Sequence, residues 1–448
     1  MIKKKLSVAL FSSAIIIGLV LAAGIMAFPD PSAGKVNNDN QAKYAPDRVI
    51  VKTKGDKEPF RVVMVPEGKV MEKVKEYQAD PGVVYAEPDY YVYPLGSNDI
   101  AYTNQWALNN IAQTIYRGSG NPDSPVDFTK LIGTGNSGSD IDWEEAWNGF
   151  STATFSTAVI AIVDSGIDET HLDLKSKIWI NEDEIAGNKK DDDGNGFIDD
   201  TWGWNFVKRN NNSHDKYGHG THVSGIAAAV TNNNIGIAGV AFPDNIKIMV
   251  IKVLSDSGIG FTSDEAKGIK YAADNGAKVI NLSLGSGDSQ TIRDAVNYAW
   301  GKGLVIAAAA GNNNGGAVIY PAAYENVIAV SATNYNDNIA SFSSVGPEVD
   351  VAAPGVNVFS TFPGYKFYIG TVNGRARYYD VGSGTSMAAP QVAGLAGLLF
   401  AQDNTRNNVA IRSIIEATAN DLGTAGKDNY FGYGRINVYN ALLYSLTP

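Results

Sequence analysis

The chain has 448 residues, 44% hydrophobic and 19% charged, with 47 glycines and 17 prolines, enough apolar material to bury a large core. Its 36 basic and 47 acidic side chains leave a net charge of −11, which argues against a nucleic-acid binder with its usual basic face. Zero cysteines exclude disulfides, thiolate nucleophiles, thiolate zinc sites and iron–sulfur clusters.

Lys3, Lys4 and Lys5 precede an apolar stretch from Leu6 to Phe28, the layout of a secretory signal. That stretch is also long enough to act as a retained membrane anchor. Residues 1–28 are therefore read as an export signal or a tether, and the rest of the chain is expected outside the cytoplasm. Residues 29–46, rich in Pro, Asn and Asp, read as a linker. Arg48-Val-Ile-Val-Lys-Thr then alternates like a strand, and Val70 to Tyr77 carries valines at helical spacing. Val83 to Tyr93 reads as strand, turn, strand. This predicts a small α+β domain over 47–96, with the polar run Gly96–Asn104 as its seam to the rest.

After Trp106, apolar runs alternate with small-residue helices. Val159–Val163, Ile248–Val253, Lys278–Leu282, Leu304–Ala310 and Val327–Val330 are nearly unbroken. Such runs mark strands buried on both faces of a parallel sheet. Helical segments lie between them, among them Ser263–Asn275 and Ile292–Lys302. The rhythm predicts an α/β fold, a doubly wound and mostly parallel sheet flanked by helices, over residues 97–448.

In such sheets the chemistry sits at the carboxyl ends of strands. Asp164 follows the first run directly, as a catalytic carboxylate or a plain turn aspartate. His219 lies in Tyr217-Gly-His-Gly-Thr-His-Val-Ser-Gly, ahead of a small-residue helix over 225–230. With His222 it also offers an i,i+3 zinc pair, and a hydrogen-bonded core histidine is a third reading. Ser386 stands in Gly382-Ser-Gly-Thr-Ser-Met-Ala-Ala-Pro, at the start of a helix whose first turn would hold Pro390. An N-cap serine is the simpler role there. A serine hydroxyl becomes a nucleophile when a histidine takes its proton, and the histidine needs a carboxylate to fix its tautomer. The oxyanion then needs donors, which the Ser386 N–H and Asn312, in Ala307-Ala-Ala-Ala-Gly-Asn, would supply.

Asp191-Asp-Asp-Gly-Asn-Gly-Phe-Ile-Asp-Asp has the oxygen-ligand spacing of a calcium loop. Asp191, Asp193, Asn195, the Phe197 carbonyl and Asp199 or Asp200 are its candidate ligands. The glutamate that ends an EF-hand loop is replaced by Trp202, so this is a calcium loop in another setting or a solvated cluster of charge.

Asp164-Ser-Gly-Ile-Asp, His219-Gly-Thr-His-Val-Ser-Gly and Gly384-Thr-Ser-Met-Ala-Ala-Pro resemble the three signature motifs of the subtilisin-like serine proteases, in that family's Asp, His, Ser order. The likeness covers about 97–448. It implies that Asp164 orients, His219 is general base then acid, Ser386 attacks and Asn312 donates to the oxyanion. Asn312 also argues against a related Glu/Asp/Ser family, which uses Asp there. Gln391 stands where many relatives carry His. The segment 47–94 resembles the inhibitory prodomain of these enzymes, which chaperones folding and is then cut off, here near 93–98; a permanent accessory domain is the other reading.

The same resemblance places substrate contacts. Ser283-Leu284-Gly285 and Ala309-Ala310-Gly311 match the backbone walls of the S1 pocket, and Gly258-Ile259-Gly260 the strand that pairs with substrate. Ile319 falls where glycine often stands at the pocket base, which predicts small or medium apolar P1 residues. A second calcium site is implied as well, from Asp173 and Asn233 side chains, the carbonyls of Val230, Ile235 and Ile237, and Asp99. The expected protein is a secreted, monomeric, calcium-stabilised endopeptidase acting on proteins and peptides. A surface module that keeps the fold and calcium loops without catalysis is the alternative.

Overall fold

The computed structural model describes residues 44–55, 57–90 and 96–444. The export segment and residues 29–43 of the expected linker lie outside these. The chain divides into two compact units, Met1–Val92 and Tyr93–Pro448. No helix among the described residues is long and apolar enough to cross a membrane.

In the smaller unit β1 (Tyr44–Thr53) is the central strand, paired antiparallel with β2 (Arg61–Met64) and β3 (Val83–Tyr90). Helix α1 (Val70–Gln78) packs Val70 and Val74 against Val49, Val51 and Ala86. Two expectations change here. β1 begins three residues inside the stretch read as linker, and β3 runs on through Pro88 without a turn. Proline is tolerated because β3 is an edge strand, where a missing N–H need not break a ladder bond.

The larger unit opens with residues expected to form a seam, but Ser97, Asp99, Ala101 and Asn104 are buried in it. An antiparallel ribbon, β4 (Thr114–Gly118) with β5 (Val126–Thr134), and helix α2 (Trp143–Phe150) precede β6 (Ala158–Asp164). Then come β7 (Gly203–Asn205), α3 (His219–Ala228), β8 (Ile246–Lys252), α4 (Thr262–Asp274) and β9 (Val279–Leu282). After these follow α5 (Gln290–Gly301), β10 (Val305–Ala309), β11 (Ile328–Thr333) and β12 (Val349–Pro354). A pair of antiparallel strands, β13 (Val358–Thr361) and β14 (Tyr379–Gly382), encloses α6 (Tyr368–Asn373). The chain closes with α7 (Thr385–Gln402), α8 (Asn408–Ala417) and α9 (Val438–Tyr444).

Seven strands form one parallel sheet in the order β12-β11-β10-β9-β6-β8-β7. Growth from β6 runs first to one side and then, from β9, to the other, so a crevice opens at the carboxyl ends of β6 and β9. Side chains alternate between the faces, as strand geometry demands. Ile160 and Ile162 of β6 join a core under α7, while Val159, Ala161 and Val163 join the core under α4 and α5. Each large aliphatic side chain so buried contributes about 2 kcal/mol.

All five predicted runs are strands of this sheet, whereas β7 and β12 escaped notice. β7 has three residues, and β12 carries the charge of Asp350 at its second position. That carboxylate is buried and paired with Arg412 at 2.9 Å and Lys427 at 3.1 Å, which removes the objection to a charge in a core strand.

Helix α7 runs 18 residues through the core. Gly394 lets it lie against α3 and its neighbour loop, since a Cβ there would meet Val240 at 2.7 Å and the Ala227 carbonyl at 2.8 Å. Pro390 falls in the second turn of α7 rather than the first, because the helix begins at Thr385. Its missing N–H would leave the Ser386 carbonyl without its helical donor. The hydroxyl of Ser283 supplies one instead, at 2.9 Å.

Candidate active site

Asp164 is the last residue of β6 and fully buried. Its carboxylate faces His219, whose Nδ1 lies 2.8 and 2.9 Å from the two oxygens. The Ser165 N–H donates to Oδ1 at 2.7 Å and fixes the carboxylate plane. Burial works against the His219 imidazolium, but the charge of Asp164, its hydrogen bond and the charge of Asp215 outweigh it, and the pKa is raised.

His219 is the first residue of α3, so the helix starts six residues earlier than the sequence suggests. The physical reason is Asp215, a buried residue that sequence reading passed over. Its Oδ1 accepts from the N–H groups of Tyr217 (3.0 Å) and Gly218 (2.8 Å), and Oδ2 from the N–H (2.9 Å) and hydroxyl (2.7 Å) of Thr221. The Ser165 hydroxyl, itself donating to Asp215 at 2.9 Å, takes the Gly220 N–H at 2.8 Å. The N–H groups of Tyr217, Gly218, Gly220 and Thr221 around the start of the helix are thus satisfied from inside the core. Gly220 must be glycine, since a Cβ would lie 2.2 Å from the Gly166 carbonyl oxygen. An aspartate four residues before the histidine, next to a glycine turn, was the available signal.

His222 is fully buried, with Nε2 3.3 Å from the Asp380 carbonyl oxygen and its ring 4.6 Å from that of Phe362. Burial and the neighbouring His219 push its pKa down to about 3. Of the three readings for these histidines, the core role belongs to His222.

Ser386 occupies the second position of α7 and is partly exposed. Its hydroxyl donates to the Ser283 carbonyl at 3.1 Å. Asn312 stands exposed just beyond β10, and its Oδ1 accepts from the N–H and hydroxyl of Thr385, at 2.9 and 3.1 Å. With the amide oxygen held by two donors, the Nδ2 group is the end left to donate outward. Asp164, His219, Ser386 and Asn312 therefore all stand at ends of strands or helices at the sheet's carboxyl edge.

A cleft of about 300 Å³ adjoins His219 and includes Gly258, Gly260, Ser283, Leu284 and Gly285 from the expected substrate contacts. Ile259 is exposed on the short loop bridged from Leu254 to Gly260. Ala309 and Ala310 point their methyl groups into the two cores, and the Ala310 carbonyl is taken by the Ile319 N–H at 3.0 Å. Ile319 packs between Gly285 and Gly311: a Cβ on either glycine would meet it at 2.3 and 3.0 Å. Tyr217, Phe261 and Glu265 also line the cleft and were not foreseen.

Of the expected loop ligands, Asp193 and Asp200 converge, and they do so with Glu184, which sequence reading missed. Asn181, also missed, donates to Asp193 at 3.1 Å and Asp200 at 3.3 Å. Asp191 and Asp199 stand outside that trio, each holding a backbone N–H with one oxygen, Gly196 at 2.9 Å and Lys189 at 3.0 Å. Their other oxygens are buried without a partner. Asn195 donates to Asp193 and Asp200, at 2.9 and 3.1 Å, and the Phe197 ring packs on Trp204, Phe206 and Tyr271. Glu184 could not be found by spacing, because it precedes the loop. The trio is an all-oxygen set, which fits a hard cation, and the orphaned oxygens belong to Asp191 and Asp199 of the same loop.

The second expected set is brought together. Asp173 is fully buried and accepts from Asn233 Nδ2, the Ile237 N–H and the Tyr379 hydroxyl, each at 2.9 Å. Asp99 accepts from the N–H groups of Asn232 and Asn233, at 2.8 and 2.9 Å. The Val230 N–H donates to the Asp173 carbonyl at 2.8 Å, and that of Ile235 to Asn233 Oδ1 at 2.7 Å. Burial, with the charge of Asp99 adding to it, drives the Asp173 pKa up to about 7. Two carboxylates facing one loop in this way also fit a cation.

A doubly wound parallel sheet with a carboxylate-bound histidine, a helix-borne serine and an outward amide along one edge defines a hydrolase of the serine type. The Subtilase family model matches residues 156–434, and the chain belongs to that family. It is 40% identical over 406 residues to a thermophilic serine proteinase of Bacillus sp. (strain AK1), covering 90% of this chain and 82% of that one. It is 44% identical to thermitase of Thermoactinomyces vulgaris over 68% of this chain and 94% of the relative. Among solved structures, a protease of Pseudoalteromonas arctica superposes with a TM-score of 0.59 at 30% identity, over 78% of this chain and 99% of that one. The chain is thus a serine endopeptidase whose substrates are proteins.

Proposed function

We propose that the chain is a secreted, calcium-stabilised endopeptidase made as a self-processing zymogen, with Asp164, His219 and Ser386 as its triad. The observation that carries this is the double contact of His219 Nδ1 with the buried Asp164 carboxylate. It fixes the proton on Nδ1 and leaves Nε2 free to act as base. Ser386 Oγ leaves the Ser283 carbonyl, gives its proton to Nε2 and attacks the substrate carbonyl. Asn312 Nδ2 and the Ser386 N–H receive the oxyanion. The imidazolium then protonates the leaving amine, and water repeats the sequence on the acyl-enzyme.

Glu184, Asp193 and Asp200, helped by Asp191 or Asp199, would hold one calcium ion. Asp99, Asp173 and the loop from Val230 to Ile237 would hold another. Bound ions stabilise the native state by mass action and do not enter the reaction. Ile319, between the walls of Gly285 and Gly311, favours small or medium apolar P1 residues.

Residues 47–96 act as prodomain, chaperone and inhibitor, removed by a cut near 93–98. The alignment with the Bacillus sp. proteinase supports this, since it is too long to lie within 97–448 alone. The basic-then-apolar residues 1–28 direct export or tether the enzyme. The test is the intact mass of the full chain and its Ser386→Ala form in calcium buffer. Processing by the wild type alone supports the triad and the prodomain together. Processing by both alike, or by neither, rejects self-cleavage.

A further inference from the structure

The cleft beside His219 holds a group that the proposed mechanism leaves idle. Glu265, in the first turn of α4, lines it along with Leu254, Leu284 and Tyr217. The residue is only 5% exposed, and its Oε1 has no hydrogen-bond partner. Burial pushes its pKa up to about 7, with no neighbouring cation to offset it. Among the residues lining the cleft, Glu265 is the one carboxylate.

A buried acid without a partner is costly to keep unless something arrives to pair with it. Leu254 and Leu284 give the cleft aliphatic walls, which suit the methylene stem of a long basic side chain while its charged tip seeks an anion. An apolar occupant would seal the carboxylate from water and leave it unpaired. An acidic occupant would meet a like charge. The cleft volume of about 300 Å³ has room for an arginine side chain. Glu265 is also absent from the walls around Ile319, so this preference concerns a substrate position other than the one at the cleaved bond.

We propose that Glu265 is a specificity-determining residue, receiving the ammonium or guanidinium of a substrate lysine or arginine that lies near the scissile bond but not at it. The inference rests on the protease reading above. It adds a charged requirement to a site otherwise built of backbone and apolar walls.

The test uses peptides that place Lys, Arg, Leu or Glu at each of four positions on either side of one cleavable bond. They are offered to the matured wild type, Glu265→Gln and Glu265→Asp. At one position, Lys and Arg are expected to raise kcat/KM about tenfold over Leu in the wild type, and the advantage should vanish in Glu265→Gln and return in part in Glu265→Asp. Leu equal to Lys at every position in the wild type overturns the proposal, as does an advantage that survives Glu265→Gln. If no form cuts any peptide, the protease reading is what fails. Affinity of the same peptides for the matured wild type then decides, with tighter binding of the Lys peptide supporting the proposal and equal binding overturning it.

Discussion

Ser283 and Ser386 exchange hydrogen bonds: the Ser283 hydroxyl donates to the Ser386 carbonyl at 2.9 Å, and the Ser386 hydroxyl donates to the Ser283 carbonyl at 3.1 Å. The first bond replaces the one that Pro390 cannot give, and so ties the end of β9 to the start of α7. Ser283→Ala should lower stability by about 1 kcal/mol, the ordinary value of such a bond. Denaturant unfolding in a Ser386→Ala background, where self-digestion is absent, reads this out. No loss would mean that the carbonyl needs no side-chain donor.

With His219 as the proposed general base, its raised pKa should set the acid side of the pH profile. A raised value keeps the imidazole protonated to higher pH, so kcat/KM should already fall as pH drops through a value above 6.5. Asp164→Asn removes the main influences that raise it and leaves burial, which lowers it. The inflection should therefore move to lower pH, while the rate drops by about four orders of magnitude because the tautomer is no longer fixed. An unmoved inflection would detach Asp164 from His219.

In the proposed oxyanion role the Asn312 amide donates to charge that exists only in the transition state, so Asn312→Ala should cut kcat by about a hundredfold or more with little change in KM. Thr385→Val, which removes one of the two donors holding Asn312 Oδ1, should show a smaller loss of the same kind. A change in KM alone for Asn312→Ala would move this residue from oxyanion to substrate binding.

Strong chelation should lower the melting temperature, and calcium at a hundred times its dissociation constant should restore about 3 kcal/mol per site. Glu184→Gln should weaken that response by reducing the charge of the loop site. A melting temperature indifferent to chelation would remove calcium from both sites.

Ile319→Gly should deepen the space between Gly285 and Gly311 and move P1 preference toward Phe and Tyr. Profiling both chains with one P1 library measures this. A wild type that already prefers Phe or Tyr would defeat the shallow-pocket reading.

Much of this was legible in the order of residues. Asp164, His219 and Ser386 sit in short local motifs because each is delivered by a tight turn at the end of a strand or the start of a helix. Glu184, Asn181 and Asp215 were not legible. Glu184 and Asn181 reach the loop site from outside its spaced run of acids. Asp215 does its work through the backbone of the next turn, which no side-chain pattern announces. Glu265 looks, in sequence, like any acid in the first turn of a helix.

The sequence by itself determined the class of fold and the chemistry. Unbroken apolar runs have only a two-sided parallel sheet to enter, and cysteine-free composition leaves oxygen, nitrogen and hydroxyl groups to do the work. Only the tertiary structure decided which acids converge on one candidate cation site, which histidine is sealed in the core and which carboxylate lines the cleft. Those outcomes depend on distances between segments far apart in the chain, and on burial, which raises the energy of a charge according to what surrounds it rather than what precedes it.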